Sequence, residues 1–418
     1  MTGGRTDRSL AGAQWLTAGS LARLLAVLDR DGEEARVVGG AVRNALLGEP
    51  VGEIDVATTA VPQEVIRRAE REGFKPVPTG IEHGTITVVI DGEPFEVTTL
   101  RADVETYGRH AKVAFGRDWK TDAERRDFTM NAFSATRDGS VYDYVGGLAD
   151  LKVRRVRFIG EPEKRIAEDY LRILRFFRFH AAYGGGGHPD PHGIAACIAA
   201  RAGLDQLSRE RVRMEMRKLV VGPHAVPALI AMADTGLLLR VLGSVSYLGC
   251  FENMAKAEAA AGLAADPVRR LGALGVIVVE DAERLRERFR LANAEHARLV
   301  SMADRWWEVS PAAGEAAARA LLYRLAPERF VDRVLLAWSR SPAGAADEAW
   351  HALAALPQHW TAPVFPLKAV DFIKRGIEKG PGLGAALAAA ERAWIEEDFP
   401  NDAAALAGIT DAAMKREL

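Results

Sequence analysis

The sequence predicts an α+β protein, with a mixed or antiparallel sheet near the N-terminus and helices thereafter. Three observations carry that expectation. ITVVI (86–90) and FEVTTL (95–100) flank the turn DGEP, the pattern of a β-hairpin. Residues 35–158 alternate short β-rich runs with helical stretches, and strand signals fade from about residue 160. Residues 251–418 are rich in Ala, Leu, Glu and Arg with Pro and Gly punctuation, and read as helices.

The elements follow in order. Residues 1–32 are expected to form one helix, with Leu21, Leu24, Leu25 and Leu28 at helical spacing. A glycine turn, Gly39-Gly40, leads into Arg43, and a short β-like segment then carries Glu53 and Asp55. VPQEVIRRAEREGF (61–74) has helical spacing, with Pro62 near its start. Tyr107 to Arg117, YGRHAKVAFGR, is expected to be a mobile basic loop. Glycines 184–187 break the chain after the first basic helix. Residues 364–399 read as amphipathic helices separated by a Pro/Gly break, and no repeat stands out.

A chain of 418 residues exceeds one compact core, so two or more domains are expected. With 48% hydrophobic and 27% charged residues, the composition is that of a globular protein. No apolar run reaches the roughly 18 residues of a membrane span, so no membrane partner is expected. The N-terminus shows no apolar signal core with a cleavage site. Cys197 and Cys250 are far apart and suggest neither a disulfide framework nor a zinc site, which points to a cytoplasmic location. The net charge is −2, yet residues 151–220 hold 15 Lys and Arg against 8 Asp and Glu. Such a window suits either phosphate binding or a solvated helical face.

Glu53 and Asp55 are the first chemical signal. Residues two apart on a strand point to the same side, so two carboxylates would share one small volume. Mg²⁺ prefers oxygen ligands and commonly takes one or two carboxylates plus substrate phosphates. Glu96, in FEVTT, is the candidate for a third carboxylate. Alone, such a pair fits a solvated strand edge better than a metal site; the glycine turn upstream shifts that balance. Upstream, Gly39 and Gly40 allow close backbone approach to phosphate oxygens, and Arg43 could grip a triphosphate in a forked manner. His83 reads as a turn or strand residue, and a metal site among His180, His188 and His192 is not expected.

GGAVRNALLG, EIDVATT, HGTITVV, EVTTLR, RRDFTMNA, DYVGGLADL, EDYLRILRFFRF and SRERVRMEM occur in this order. Together they resemble the class II tRNA nucleotidyltransferases, or CCA-adding enzymes, and the related bacterial poly(A) polymerases of the polymerase-beta superfamily. The resemblance covers roughly residues 35–220. It implies a polymerase-beta-like nucleotidyltransferase head (1–158), a helical neck that selects the base (159–225), and a helical body and tail for tRNA (226–418). It makes Glu53 and Asp55 the metal ligands for Mg²⁺, with Glu96 the third catalytic carboxylate, and places Gly39, Gly40 and Arg43 at the phosphates. Arg126, Asp127 and Asn131 match the ribose-reading segment, and Asp143 to Leu151 a flexible motif coupling domain movement to nucleotide choice. Glu168, Asp169 and Arg172 match the base-selecting E-D-x-x-R, followed by Arg175 and Arg178; Arg211 and Glu215 match a supporting motif. Three positions depart from the family's pattern. Glu53 stands for the usual Asp, moving a carboxylate by roughly 1.5 Å. Asn44 replaces an Asp, removing a possible anionic partner of Arg43; Tyr144 replaces a Pro, which predicts a looser turn.

The E-D-x-x-R segment has a direct chemical reading. On a helix, Asp169 and Arg172 would share a face, with Glu168 four residues from Arg172 and able to hold it. Aspartate offers acceptors and arginine donors. Cytosine and adenine each present an amine beside a ring-nitrogen acceptor; uracil and guanine present the reverse. The pair would therefore accept CTP and ATP. The expected activity is template-independent addition of CMP and AMP to the tRNA 3′ end, with the acceptor arm as partner and the enzyme a monomer or homodimer. The alternatives are a poly(A) polymerase of the same family and a non-catalytic RNA-binding protein with a decayed site.

Overall fold

The computed structural model describes residues 4–107 and 110–415, with backbone alone between 102 and 114. The chain forms two compact units, Met1–Leu207 with Gly222–Leu237, and Ser208–Val221 with Leu238–Leu418.

The first unit opens with β1 (Arg5–Ser9), α1 (Gln14–Thr17) and α2 (Gly19–Leu28), in place of the single helix expected over 1–32. The polar run RTDRS lies at the sheet edge, paired antiparallel with β10 (Ser140–Tyr142), a partner about 135 residues away that helical spacing cannot reveal. Leu21, Leu24, Leu25 and Leu28 are all buried on α2, as their spacing requires.

The sheet continues with β2 (Ala35–Val38), β3 (Asp55–Thr58), β4 (Lys75–Gly80), β5 (Thr85–Ile90), β6 (Glu93–Thr99) and β9 (Ser134–Ala135). Its eight strands run β1-β10-β9-β2-β3-β6-β5-β4, and β3 lies parallel to β6 while the other pairings are antiparallel. The expected hairpin is present as β5–β6. Its loop is Asp91-Gly92, both with positive φ, the backbone that matches the twist of paired strands. β7 (Arg101–Tyr107) and β8 (His110–Phe115) form a separate antiparallel pair where a mobile loop was expected; residues 108–109 lie outside the described residues.

Helices α3 (Gly40–Leu47), α4 (Pro62–Arg71) and α5 (Trp119–Glu124) are inserted between strands. α4 starts with Pro62 in its first turn, where a missing N–H costs nothing. Beyond β10 come α6 (Gly147–Lys152), α7 (Pro162–Glu168), α8 (Leu171–Tyr183) and α9 (Pro191–Ala199). α8 carries the docking aromatics. Phe176 stacks on Phe158 at 5.4 Å between ring centres, and Phe128 meets Phe158 and Phe179 at 4.9 and 5.1 Å. Full burial of such a side chain contributes roughly 1.5–3 kcal/mol.

The turn after β10 is anchored, against the expectation from Tyr144. Asp143 accepts the N–H groups of Val145, Gly147 and Leu148 at 2.9–3.1 Å. The Tyr144 hydroxyl accepts from Arg36 Nη1 at 3.1 Å, and its ring packs against Val38, Ala57, Leu100 and Trp119. An aromatic ring with a hydroxyl supplies contacts that replace the rigidity of proline.

The second unit contains α10 (Arg209–Val220) and the helices of the C-terminal half; α11 (Ala225–Asp234) belongs to the first. No strand occurs after β10 among the described residues. A buried ion network holds this unit. Asp332, fully buried, accepts from Arg269 Nε at 3.0 Å and from Arg298 Nε and Nη2 at 2.7 and 2.8 Å. Glu258, 1% exposed, binds Arg269 at 3.0 Å and Arg270 at 2.7 Å. Removing Asp332 leaves two mostly buried arginines short of a carboxylate, with Arg269 keeping Glu258 and Arg298 keeping Asp266 at 3.0 Å each. Asp332→Ala should therefore lower unfolding free energy by about 3–5 kcal/mol in urea titration, and an unchanged midpoint would contradict this account.

Candidate active site

The site starts at a turn that only glycine adopts easily. Gly39 follows β2 and caps α3 with φ 71° and ψ −122°, and its N–H donates to the Phe133 carbonyl at 3.0 Å. A Cβ at Gly39 would lie 3.2 Å from Arg126 Nη1, and one at Gly40 would lie 3.5 Å from Arg43 Nη2. Two guanidinium groups thus crowd the start of α3. The backbone there offers N–H donors to an anion.

The carboxylates face this turn from the sheet. Asp55 opens β3 and is paired in parallel register with Glu96 on β6, so both side chains leave the same face. Both are exposed, beside buried Val56 and Val97. Glu53 is exposed in the bend before β3, and not on the strand as expected. Desolvation, then Glu96 and, more weakly, Glu53, push the Asp55 carboxyl above the ordinary aspartate range, while Arg126 pulls it down. Three acids therefore feel one another around Asp55. Among the described residues, no three His, Cys, Asp or Glu side chains converge as a ready metal cage. Two aligned hard-oxygen donors and a third acid nearby suit a divalent cation that takes its remaining ligands from phosphate and water.

This electrostatic arrangement has a measurable sign. A carboxyl with a raised native pKa costs stability when ionised, and that cost disappears as pH falls through the raised value. In metal-free buffer at neutral pH, Asp55→Asn should melt slightly above the parent chain. Mg²⁺ should raise the parent's melting temperature and leave that of the variant unmoved. A parent insensitive to Mg²⁺ would argue against cation binding at Asp55.

A chain of polar contacts links the glycine turn to α8. Arg43 is buried and donates through Nη1 to Asn131 Oδ1, through Nη2 to the Tyr183 hydroxyl at 2.6 Å, and through Nε and Nη2 to Asn44 Oδ1 at 3.1 and 2.9 Å. Asn44 thus still serves as acceptor where an anionic partner was thought lost. Asn131 Nδ2 donates to Asp127 Oδ1 at 3.1 Å, and Asp127 Oδ2 accepts Arg175 Nε at 2.8 Å. Burial would push the Asp127 carboxyl up, but Arg175, Asn131 and the Phe128 N–H hold it below the ordinary range. Asp127 and Asn131 are therefore locked to α8. Arg126 is tied to Asp122, a buried acid that also binds Arg125.

At the expected base-selecting segment the helix is interrupted. α7 ends at Glu168 and α8 begins at Leu171, so Asp169 is extended, at φ −157° and ψ 108°. Asp169 and Arg172 do not share one helical face. The reason is local: aspartate is a good cap, and its Oδ1 accepts the Leu171 N–H at 3.0 Å. The expected Glu168–Arg172 ion pair is present, and Arg172 Nη1 also donates to the Arg165 carbonyl at 2.6 Å. Glu168 additionally pairs with Arg165 at 2.9 Å. Arg178 lies over the Phe179 ring at 4.3 Å, and its charge is felt by Arg43. Two of the basic residues of α8 are thus engaged within the first unit, Arg175 by Asp127 and Arg178 by the Phe179 ring. Arg211 is exposed on α10, in the second unit. His83 closes a short 3₁₀ turn.

Sequence reading missed Tyr183 and Asp122. Tyr183 is 140 residues from Arg43, and its only local signals are helical spacing from Phe179 and the glycine run that follows.

A mixed sheet bearing strand carboxylates opposite a glycine turn defines a nucleotidyltransferase of the polymerase-beta type. The family described as "Poly A polymerase head domain" matches residues 35–157, and "Probable RNA and SrmB- binding site of polymerase A" matches 188–247. The chain is 34% identical to the mouse (Mus musculus) mitochondrial CCA tRNA nucleotidyltransferase 1 over 396 residues, 92% of this chain and 88% of that protein. It is 31% identical to the CCA-adding enzyme of Limosilactobacillus fermentum over 381 residues, 91% and 93% of the two chains. The chain belongs to the class II CCA-adding tRNA nucleotidyltransferase family. The crystal structure of the Bacillus stearothermophilus CCA-adding enzyme in complex with CTP matches with TM-score 0.74 and 28% identity, covering 95% of this chain and 97% of that one. The Thermotoga maritima CCA-adding enzyme complexed with tRNA shares the fold, at TM-score 0.70 and 18% identity over 97% and 98% of the chains.

Proposed function

We propose that this chain adds CMP and AMP to the 3′ end of tRNA, taking them from CTP and ATP without a nucleic-acid template. The polar chain from Arg43 through Asn131 and Asp127 to Arg175 carries this reading, since it joins the glycine turn to α8, the helix that bears the arginine of the E-D-x-x-R segment. Gly39, Gly40, Arg43 and Arg178 bind and orient the triphosphate. Arg126, Asp127 and Asn131 set the ribose, and Glu168, Asp169, Arg172 and Arg175 frame the base. The tRNA 3′-hydroxyl attacks the α-phosphate in line and pyrophosphate leaves. Asp55 and Glu53, with Glu96 beside them, are the residues that would hold Mg²⁺, which when bound polarises the phosphate and the attacking hydroxyl. Arg43 and Arg178 balance charge on the departing pyrophosphate.

In this reading residues 1–158 are the catalytic head, 159–225 the neck, and 226–418 the region that grips the tRNA body, with Arg211 supporting the neck. The tRNA is held by phosphates and shape, because A-form RNA hides its major groove. A cytoplasmic location is supported by the two free cysteines, Cys197 and Cys250. Among the described residues no helix is long and apolar enough to cross a membrane.

The test offers α-labelled CTP and ATP, singly and together, to tRNA ending at its discriminator base. Ordered addition of two C and one A is expected. Long A tails without C would establish a poly(A) polymerase instead. Absence of Mg²⁺-dependent label transfer, with tRNA binding intact, would leave the non-catalytic reading.

A further inference from the structure

The Arg43 guanidinium is buried, yet among the described residues no carboxylate lies within ion-pair distance of it. Its partners are three neutral oxygens, from Asn44, Asn131 and Tyr183. The Tyr183 ring also lies beneath it, 3.9 Å from the guanidinium carbon to the ring centre, and Phe179 is 5.5 Å away. Burying a cation without a contacting carboxylate is costly, and an incoming anion would offset that cost. Desolvation and, more weakly, Arg178 act against the charged form of Arg43, while Tyr183 and the more distant carboxylates of Glu49 and Asp127 favour it, and burial outweighs them.

Tyr183 is the last residue of α8, directly before Gly184–Gly187. Gly185 and Gly186 adopt positive φ, so the backbone turns away immediately after the tyrosine. α8 is thus tied to the head at two levels, by Arg175 to Asp127 and by Tyr183 to Arg43, and Asn131 bridges the two ties.

We propose that Tyr183 is a positioning residue for the triphosphate: its hydroxyl and ring hold the Arg43 guanidinium against the Gly39-Gly40 turn, ready for an incoming phosphate. This rests on the function proposed above and deepens it. The neutral acceptors fix the orientation of the guanidinium without cancelling its charge, which a carboxylate would do. Because CTP and ATP share the triphosphate, Tyr183 acts on both donors alike and does not enter base choice.

Two variants test this. Tyr183→Phe keeps the ring under Arg43 and removes the hydroxyl; Tyr183→Leu removes both. Tyr183→Phe should raise KM for CTP and for ATP by the same factor, roughly tenfold for one hydrogen bond to a charged group, with kcat changed far less. Pyrophosphate, which has neither base nor ribose, should lose affinity in parallel, by calorimetry with the full-length chain. Tyr183→Leu should lose more, while CTP-to-UTP selectivity stays at the parent value in both. Unequal effects on CTP and ATP, or unchanged pyrophosphate affinity in both variants, would overturn the assignment. Calorimetry needs no turnover, so a parent chain that binds pyrophosphate through Tyr183 but transfers no nucleotide would sink the proposed function and leave the positioning role standing.

Discussion

Asp55→Ala should abolish nucleotide transfer, by at least about a thousandfold in kcat, while tRNA binding persists. Three features support the size of the effect. Asp55 is the one acid aligned in strand register with Glu96, it lies within the field of Arg126 beside Gly39, and its charge is raised in energy by both neighbouring acids. Removing it leaves the proposed cation with a single strand carboxylate. Charge stabilisation of several kcal/mol at the phosphate is then lost, and each 1.36 kcal/mol is tenfold in rate. Single-turnover transfer of α-labelled CMP measures the first part, and a filter-binding isotherm with tRNA the second. Simultaneous loss of tRNA binding would mean that Asp55 supports the fold of the head. Glu53 provides the graded control. It lies in the bend before β3, where the chain is less constrained than on the strand, so a longer side chain can still reach the site. Glu53→Asp should retain activity, whereas a silent parent chain rescued by Glu53→Asp would identify this glutamate as the defect.

Arg172→Ala and Asp169→Ala should relax base choice. Arg172 is held through Nη1 by Glu168 and the Arg165 carbonyl, and its Nε and Nη2 make no hydrogen bond among the described residues. Those donors suit the ring-nitrogen acceptor of cytosine or adenine and oppose the N–H of uracil or guanine. Loss of the arginine should cut the CTP-over-UTP ratio of kcat/KM by roughly 10- to 100-fold, the value of one mispaired buried polar contact. Glu168→Gln should produce a smaller change, because it weakens the hold on Arg172 and leaves the donors in place. A selectivity ratio unmoved by Arg172→Ala would refute the pairing argument.

Much of this was legible locally. The β5–β6 hairpin, the start of α4 at Pro62, the buried leucines of α2 and the glycine turn at Gly39 follow from hydrophobic spacing and backbone rules within a few residues. The Glu168–Arg172 pair also followed from spacing of four. Among the local readings that failed, two did so for physical reasons that spacing does not carry. RTDRS became an edge strand because β10 supplied its hydrogen-bond partner, and Asp169 left the helix because its side chain captured the next turn's N–H.

By itself the sequence determined the order of its motifs: a glycine turn, an acidic pair, RRDFTMNA and E-D-x-x-R. Their spacing along the chain is enough for that, since each group is built from neighbouring residues. Only the tertiary structure decided how the groups are joined. Parallel pairing of β3 with β6 set Asp55 beside Glu96, 41 residues on, and docking of α8 brought Tyr183 to Arg43 across 140 residues. Strand register and helix docking are fixed by burial of side chains such as Val56, Val97, Phe176 and Phe179, which act on the whole surface at once and leave no signature at the polar residues they bring together.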